Sequence, residues 1–213
     1  MNSQEKEISY TTTNTYSTLN TLTKNTKNVW LVCHGMGYLS RYFLRSFKGL
    51  NSEDNYIIAP QAQSKYYIPP KLKYVGASWL TKENTIKETE NVMRYFDAVL
   101  SSEKLAMDKN LIVLGYSQGV SVAMRYLAKR QLQCSQLVIH SGGIPKELTP
   151  KDFEYLNLNT KVHLVYGTKD EYLNNERIAQ EIIKAKALFK NRLHVHPFEG
   201  KHIVNIDFIN SIV

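Results

Sequence analysis

The sequence contains little cysteine: Cys33 and Cys134 are the two thiols among its 213 residues. Two cysteines cannot build a disulfide framework, and Cys33 stands in an apolar run where a buried thiol is expected. The sequence also lacks any apolar run near the roughly 20 residues that span a bilayer. Residues 1–7 are polar and mixed in charge, unlike a signal or transit peptide. These features predict a cytoplasmic protein without stable membrane insertion.

Charge of one sign is not concentrated in any segment. The 27 Lys and Arg residues exceed the 19 Asp and Glu residues and give a net charge of +8, but the cations are dispersed, so we predict no nucleic-acid partner. Attraction to anionic substrates or membrane surfaces stays open. The chain is 43% hydrophobic and 22% charged, as globular proteins are. Its length is most simply a single domain, residues 1–213.

The most informative segment is a G-x-S-x-G motif at residues 115–119, directly after the apolar run 111–114. An amphipathic helix is predicted to follow, because apolar residues recur there at helical spacing. These residues are Val120, Ala123, Met124, Leu127 and Ala128. A strand before the motif and a helix after it predict a nucleophile elbow, with Ser117 on the sharp turn between them. The alternative is an ordinary tight turn.

Apolar runs alternate with helical patterns along the rest of the chain. Strands are predicted at 29–33, 56–59, 111–114, 137–139, 162–165 and 192–198, the last near an edge, and helices at about 84–102, at about 175–189 and from near His202 to the end. This alternation predicts an α/β fold: a mainly parallel sheet of about eight strands with helices on both faces. Ligands in such folds bind at the carboxyl ends of the strands.

Two segments are harder to interpret. Residues 8–22 are rich in Thr, Tyr and Asn, and they predict two polar edge strands that turn as a hairpin near Asn14. Residues 65–79 are aromatic and aperiodic. They are either a loop on the side of the sheet where the site is expected or a packed connection.

A serine hydroxyl needs a base before it can act as a nucleophile. His202 follows the last predicted strand, where the chain order serine, acid, histidine requires the base. The acid should follow the preceding strand, where Asp170 stands with Glu171 as its nearest rival. Asp170 would orient His202 and stabilise its imidazolium. The alternative role for Asp170 is to form a turn or cap a helix.

An acyl-transfer site also needs hydrogen-bond donors for the oxyanion that develops on the substrate. One is the backbone N–H of Gln118, directly after the serine. The N–H of Met36, in the glycine-bearing turn at residues 33–37, is the expected second donor. His34 in that turn is predicted to fix the loop rather than act as a base. We expect His34 and Trp79 to be the substrate-binding side chains, although Trp79 could instead be a core anchor.

The remaining histidines do not point to a metal. His194 and His196 share a strand face, and their spacing could hold an ion, but no Asp, Glu or Cys stands near enough to complete a site. His140 and His163 lie in or beside apolar runs and are predicted to be core or supporting residues. We therefore predict no metal and no organic cofactor.

Over nearly its whole length the chain resembles the serine α/β-hydrolases, and within them the small carboxylesterases, phospholipases and acyl-protein thioesterases. The resemblance rests on short motifs, of which the S-Q-G of the elbow is the most specific. The motifs are His34-Gly35-Met36-Gly37, Ala59-Pro60, Ser78-Trp79, Gly115-Tyr116-Ser117-Gln118-Gly119, residues 167–170 and Gly200-Lys201-His202. Two features depart from the group: Val120 stands where it often has a further glycine, and residues 66–70 look individual.

The resemblance implies an α/β-hydrolase fold without a large lid. It implies cleavage of carboxylic esters or thioesters through an acyl-enzyme on Ser117, with a small-molecule or lipid ester as the substrate. One alternative is a lipid-directed enzyme, either a lysophospholipase or a deacylase of lipidated proteins. A non-catalytic binding protein on the same fold would need a broken triad, whereas this sequence keeps every member. The oligomeric state stays open.

Overall fold

The computed structural model of the chain describes residues 3–105 and 109–213. Its strands are β1 (Tyr16–Leu19), β2 (Asn28–Cys33), β3 (Asn55–Pro60), β4 (Ser64–Tyr67), β5 (Val75–Ser78), β6 (Asn110–Tyr116), β7 (Gln136–His140), β8 (Lys161–Gly167) and β9 (Leu193–Phe198). Its α-helices are α1 (Ser40–Phe43), α2 (Thr85–Glu103), α3 (Gln118–Arg130), α4 (Asn175–Phe189) and α5 (Ile206–Ser211). Short 3-10 helices span Leu44–Phe47, Pro150–Phe153 and Lys190–Arg192.

A seven-stranded sheet in the order β1-β3-β2-β6-β7-β8-β9 forms the centre of the fold. All neighbouring pairs are parallel except β1 with β3. The central strands are apolar on both faces because helices cover both sides. Alternate residues of β2 divide between two core clusters, one packed with α2, α3 and α4 and the other with α1 and α5. This arrangement confirms the predicted α/β class.

The parallel order of the last four strands brings together the segments that carry the predicted site. Strands β6, β7, β8 and β9 are consecutive neighbours that run in one direction. Ser117 follows β6, Ser141 follows β7, Asp170 lies three residues beyond β8 and His202 lies four residues beyond β9. All four residues therefore stand at one edge of the sheet.

The N-terminal prediction of two polar edge strands is wrong. Residues 8–22 contribute one strand, β1, which pairs antiparallel with β3. Residues 8–13 are exposed and form no strand. Even Ile8 and Tyr10 are 89% and 82% exposed, so the segment buries too little apolar surface to hold it on the sheet. The sheet consequently has seven strands, one fewer than expected.

The segment at 65–79 forms a regular antiparallel hairpin of β4 and β5, in which Tyr66 pairs with Gly76. It packs on the turn after β2, because a Cβ on Gly76 would lie 2.7 Å from the Cα of Gly37. The N–H of Gly37 also donates to the carbonyl of Ala77 at 2.9 Å. The segment is therefore a packed connection with strand pairing that its sequence pattern does not reveal.

The final helix begins later than predicted. Helix α5 starts at Ile206, capped by the side chain of Asn205, which accepts from the N–H of Phe208. His202 consequently lies in a loop between β9 and α5 rather than on the helix. Among the residues that the structure describes, no helix is both long and apolar enough to cross a membrane.

Candidate active site

Ser117 occupies a strained turn between β6 and α3, with φ 53° and ψ −120°. The turn requires glycines on both sides because the backbone passes too close for a side chain. A Cβ on Gly115 would lie 2.4 Å from the Cα of Val120, and one on Gly119 would lie 2.0 Å from the carbonyl oxygen of Cys33. Strain of this kind persists only where the surroundings enforce it. The local geometry is that of the predicted nucleophile elbow.

Val120, the departure from the related group, is accommodated by a glycine elsewhere. Its side chain is buried, and a Cβ on Gly142 would lie 2.5 Å from the Cγ2 of Val120 and 2.3 Å from the carbonyl oxygen of Ser117. The absence of a side chain at Gly142 therefore provides the space that Val120 fills. A valine at position 120 consequently leaves the elbow at Ser117 intact.

The structure brings Ser117, His202 and Asp170 into one hydrogen-bonded chain. Nε2 of His202 lies 2.9 Å from Oγ of Ser117, and Nδ1 of His202 lies 2.7 Å from Oδ2 of Asp170. Because a carboxylate only accepts, Nδ1 carries the proton and the lone pair of Nε2 faces the serine hydroxyl. The ring is therefore held in the tautomer that can receive the proton of Ser117.

Asp170 is fixed by its own turn. Its side chain is fully buried, and Oδ1 accepts from the backbone N–H groups of Tyr172 at 2.8 Å and Leu173 at 3.0 Å. Glu171, the rival acid, is exposed, and its carboxylate accepts from the backbone N–H of His202 at 3.4 Å. The geometry therefore pairs the imidazole with Asp170 and leaves Glu171 beside the main chain.

Two side chains hold the loop of His202: Tyr116, to which the sequence assigned no role, and His140, which it predicted to be a core or supporting residue. The hydroxyl of Tyr116 donates to the carbonyl of His202 at 2.9 Å. Nε2 of His140 accepts from the N–H of Asn205 at 2.8 Å, and its Nδ1–H donates to Oγ of Ser141 at 3.0 Å. Burial lowers the pKa of His140 to about 3, so the ring stays neutral and keeps its acceptor.

His140 also supports the elbow, since its carbonyl accepts from the N–H of Ser117 at 2.8 Å. Its ring lies 5.3 Å from that of Tyr116. Ser117 and the loop of His202 are therefore joined through the ends of the adjacent strands β6 and β7. Position in the sequence is the signal that could have revealed these two residues. His140 ends β7, the neighbour of β6, and Tyr116 directly precedes Ser117.

The two predicted oxyanion donors flank the serine from different segments. Gln118 is the first residue of α3, and Met36 lies in the turn that follows β2. Within the described part of the chain, neither backbone N–H donates to a protein acceptor. The turn itself is fixed, because Tyr38 N–H donates to the carbonyl of Gly35 at 3.2 Å. Both N–H groups therefore remain available to a substrate oxygen.

The expectation that Trp79 contacts substrate is corrected by its burial. The indole is 1% exposed, packs edge-on against Phe96 and donates Nε1–H to the carbonyl of His34 at 2.8 Å. A side chain enclosed in this way supports the turn at residues 33–37 from the core of the protein. Trp79 is thus a core anchor.

His34 is corrected for the same reason. It is fully buried, its Nε2 accepts from the N–H of Ala62 at 3.1 Å, and its Nδ1–H donates to the carbonyl of Gly35 at 2.8 Å. Burial lowers its pKa to about 4. His34 therefore acts as the predicted loop-fixing residue and offers no surface to a substrate.

His163 of β8 and His196 of β9, the last strand of the sheet, belong to a row of hydrogen-bonded side chains. Gln136 donates Nε2–H to the carbonyl of Ile212, so its Oε1 accepts from Nε2–H of His163 at 2.9 Å. Nδ1 of His163 then accepts from Nε2–H of His196 at 3.0 Å. Within residues 3–105 and 109–213, no group of three or more His, Cys, Asp or Glu side chains is arranged to hold a metal ion.

Exposed apolar side chains border the serine and histidine. Tyr172 is 64% exposed, and its ring lies 4.8 Å from that of His202. Ile203 follows the histidine and is 53% exposed, while Met36 in the oxyanion turn is 59% exposed. These side chains provide an apolar rim that a substrate would meet as it approaches Ser117.

A mostly parallel sheet with a serine on a strand-to-helix elbow defines an α/β-hydrolase. The chain belongs to the phospholipase/carboxylesterase family, whose sequence model matches residues 14–212. The protein is therefore a hydrolase of the esterase, thioesterase or phospholipase type.

Solved structures share the fold. The structure of acyl-protein thioesterase 2 from Zea mays is similar with a TM-score of 0.69 and 15% identity, covering 93% of this chain and 96% of that chain. A carboxylesterase from Bacillus cereus gives a TM-score of 0.63 and 16% identity over 92% and 90% of the two chains. A phospholipase/carboxylesterase from Dyadobacter fermentans gives a TM-score of 0.63 and 16% identity over 95% and 97%. At these identities the likeness concerns the fold alone.

A sequence similarity of a different kind covers part of the chain. The DNA-directed RNA polymerase subunit beta' of Pediococcus acidilactici is 31% identical over an alignment of 123 residues, and the match covers 55% of this chain and 11% of that protein. This chain spans only about a tenth of the subunit's length. The match therefore assigns no polymerase activity to it.

Proposed function

We propose that the protein cleaves carboxylic esters or thioesters through an acyl-enzyme on Ser117. The observation that carries the proposal is the hydrogen-bonded chain from Ser117 Oγ through His202 to Asp170, with distances of 2.9 Å and 2.7 Å. A serine, a neutral imidazole and a buried carboxylate in this order form the machinery of nucleophilic acyl transfer.

In the first half of the reaction, Oγ of Ser117 attacks the carbonyl carbon while its proton passes to Nε2 of His202. The imidazolium that forms is stabilised by the carboxylate of Asp170 and stays in place because Tyr116 and Glu171 hold its backbone. The same proton then passes to the departing alcohol or thiol. In the second half, His202 takes a proton from water, which attacks the carbonyl carbon of the acyl-enzyme. His202 then returns this proton to Oγ of Ser117 as the carbon–oxygen bond to the serine breaks, so that the acid leaves and the enzyme is restored.

The backbone N–H groups of Met36 and Gln118 stabilise the oxyanion of each tetrahedral intermediate. Oxyanion donors of this kind typically contribute on the order of 10²–10³ in rate. This role is supported by the absence of protein acceptors for the two amides within the described residues. It is also supported by the packing of the β4–β5 hairpin, which fixes the turn of Met36.

The second candidate is a lipid-directed enzyme, a lysophospholipase or a deacylase of lipidated proteins. The apolar rim of Met36, Tyr172 and Ile203 favours it, because an acyl chain would gain from covering these exposed side chains. Comparing short-chain, long-chain and micellar substrates separates the candidates. A steep rise of kcat/KM with chain length supports the lipid-directed enzyme, and a flat or falling profile supports the small-ester enzyme.

A cytoplasmic location is part of the proposal, supported by the free and buried thiols of Cys33 and Cys134. The substrate is a small-molecule or lipid ester.

The test of the mechanism is the kinetics of single and double variants on an aryl ester and a thioester. Ser117→Ala should lower kcat by on the order of 10⁴-fold or more, and Ser117→Ala/His202→Ala should be little worse, because residues that act as a unit are not additive. Ser211→Ala, which removes a hydroxyl that donates to the carbonyl of Phe208 in α5, is the matched control. Retained hydrolysis in Ser117→Ala would exclude the mechanism.

A further inference from the structure

A cleft of about 710 Å³ opens between the segment that follows β7 and helix α4. One wall is formed by residues 143–147, and the other by residues from Asn174 to Lys184. Arg125 of α3 also lines the cleft. The two walls follow the neighbouring strands β7 and β8, and Asp170 lies between β8 and the second wall.

Two chains of contact connect the lining of the cleft to Ser117 and His202. Gly142 packs against the carbonyl of Ser117, and a Cβ on the next residue, Gly143, would lie 3.3 Å from Nη2 of Arg177. From the other side, the carbonyl of Tyr172 accepts from Nη1 of Arg177 at 3.3 Å, while the ring of Tyr172 rests on His202. Arg177 is thus connected to Ser117 through Gly143 and Gly142, and to His202 through Tyr172 alone.

Most charges of the cleft are already compensated. Arg125 pairs with Glu147 at 2.6 Å, and Lys184 pairs with Glu181 at 2.9 Å. The carboxylate of Glu181 is buried and also accepts from the N–H of Ile144 at 2.8 Å. These ion pairs connect residues that line the cleft, and each pair is close to electrically neutral.

Arg177 differs from the paired cations. Among the described residues its guanidinium forms no ion pair, and its one hydrogen bond goes to a neutral carbonyl. Lys146 is a second lining cation without an ion pair in the described part of the chain, and Glu176 is the acid beside Arg177. A guanidinium presents a planar fork of donors that matches a carboxylate or a phosphate.

We propose that this cleft binds an anionic group of the substrate, a carboxylate or phosphate, and that Arg177 is the residue that selects for it. The proposal rests on the esterase function proposed above and narrows its substrate class. It also gives a role to the net charge of +8, which attracts anions to the protein before they reach the cleft.

The test compares anionic esters with neutral partners in wild type and variants. Phenyl hydrogen succinate, 4-acetoxybenzoate and 4-acetoxyphenyl phosphate carry the anion on the acyl side or on the leaving group. Phenyl pentanoate and 4-acetoxytoluene are the neutral partners. The two leaving-group anions distinguish a carboxylate from a phosphate ligand.

Arg177→Gln should lower kcat/KM at least about tenfold for one or more anionic esters, mainly through KM, and change it less than about twofold for the neutral partners. Glu176→Gln, on the same helical turn, should raise kcat/KM for the same anionic esters. Lys186→Gln removes a cation from α4 outside the cleft and should behave as wild type. All three positions are exposed, so the variants should keep the melting temperature of wild type.

The proposal is overturned if Arg177→Gln affects anionic and neutral esters equally, or affects neither. The esterase function is judged separately by hydrolysis of the neutral esters, which wild type should perform and Ser117→Ala should not. If Arg177→Gln does not distinguish anionic from neutral esters while Ser117→Ala is inactive, the anion site is rejected and the esterase function is retained. If Ser117→Ala still hydrolyses the neutral esters, the proposed acyl-enzyme mechanism is rejected, whatever the result with Arg177→Gln.

Discussion

The main-chain N–H of Trp79 donates to Oε1 of Gln118 at 2.9 Å. Nε2 of Gln118 in turn donates to the carbonyl of Leu80 at 2.8 Å and to Oγ of Ser78 at 2.9 Å. Gln118, which follows Ser117, is therefore hydrogen-bonded to the end of β5. The hairpin, the oxyanion turn and the elbow form one packed unit, so stability and catalytic geometry depend on the same contacts.

Trp79→Ala should destabilise the protein by about 3–5 kcal/mol, because it leaves a large cavity in the core. It also leaves the carbonyl of His34 without its indole donor. Trp79→Phe should recover much of the packing while still lacking that hydrogen bond. Urea unfolding measures the loss. The folded fraction should keep the acyl-chain preference of wild type. A changed preference would mean that Trp79 contacts the substrate after all.

Asp170→Asn should reduce kcat by on the order of 10⁴-fold, because an amide can hold the imidazole in the wrong tautomer and cannot stabilise its charge. Glu171→Gln is the matched control, since it neutralises the adjacent carboxylate that accepts only from the backbone N–H of His202. Its kcat should stay within about fivefold of wild type, the equivalent of one ordinary hydrogen bond. Steady-state kinetics on one ester checks both, and the reverse ranking would make Glu171 the acid.

Tyr116→Phe should lower kcat about fivefold or more with KM unchanged, because one hydrogen bond of about 1 kcal/mol to the backbone of His202 is lost. Tyr155→Phe is the control, since the hydroxyl of Tyr155 also donates to a main-chain carbonyl, that of Leu127, away from the site. Both variants should lose similar stability in thermal unfolding. Equal kcat values for the two variants would mean that the hydroxyl of Tyr116 does not position His202.

Buried histidines make the stability depend on pH. Burial lowers the pKa of His34 and His163 to about 4 and that of His140 to about 3, from an ordinary value of 6.5. The unfolded chain therefore binds protons that the folded chain excludes. The contribution of these histidines to the free energy of unfolding is fully present above about pH 6.5 and falls as the pH decreases towards 4. Each such histidine contributes a slope of up to about 1.4 kcal/mol per pH unit.

The checking experiment is urea unfolding at several pH values between about 7.5 and about 5, where ordinary carboxyl groups stay ionised. His163→Gln should reduce the slope in this window by about the share of one histidine. The chosen residue is remote from Ser117, and its ring contacts His194, His196 and Phe208. An unchanged slope in this variant would show that His163 is protonated equally in the folded and unfolded states.

Local patterns were sufficient to predict the elbow and most of the sheet. Glycines at 115 and 119 are demanded by contacts with the neighbouring backbone, so the motif and its geometry share one cause. The continuous apolar runs of β2, β3 and β8 follow from burial on both faces. The order serine, acid, histidine predicted Asp170 and His202 as partners of Ser117, and the structure places them within hydrogen-bond distance in the loops that follow β8 and β9.

The features that were missed depend on tertiary contacts. The β4–β5 hairpin has exposed residues such as Tyr67 and Val75 and no clear alternation, and it is held by packing on Gly37. Trp79 looked suited to a pocket because its segment is aromatic, yet its indole finds its partner on His34, which lies 45 residues away in sequence. The supporting role of Tyr116 likewise depends on which residues strands β6 and β7 bring together, and so do the particular contacts of His140, which the sequence predicted only as a core or supporting residue.

The most direct test of the central claim is the mass of the intact protein after reaction with a fluorophosphonate probe, followed by peptide mapping. Wild type should gain a single adduct on Ser117, because the elbow presents this hydroxyl to Nε2 of His202 at 2.9 Å. Ser117→Ala should gain none, and His202→Ala should label far more slowly. An adduct on another residue, or undiminished labelling of Ser117→Ala, would contradict the account.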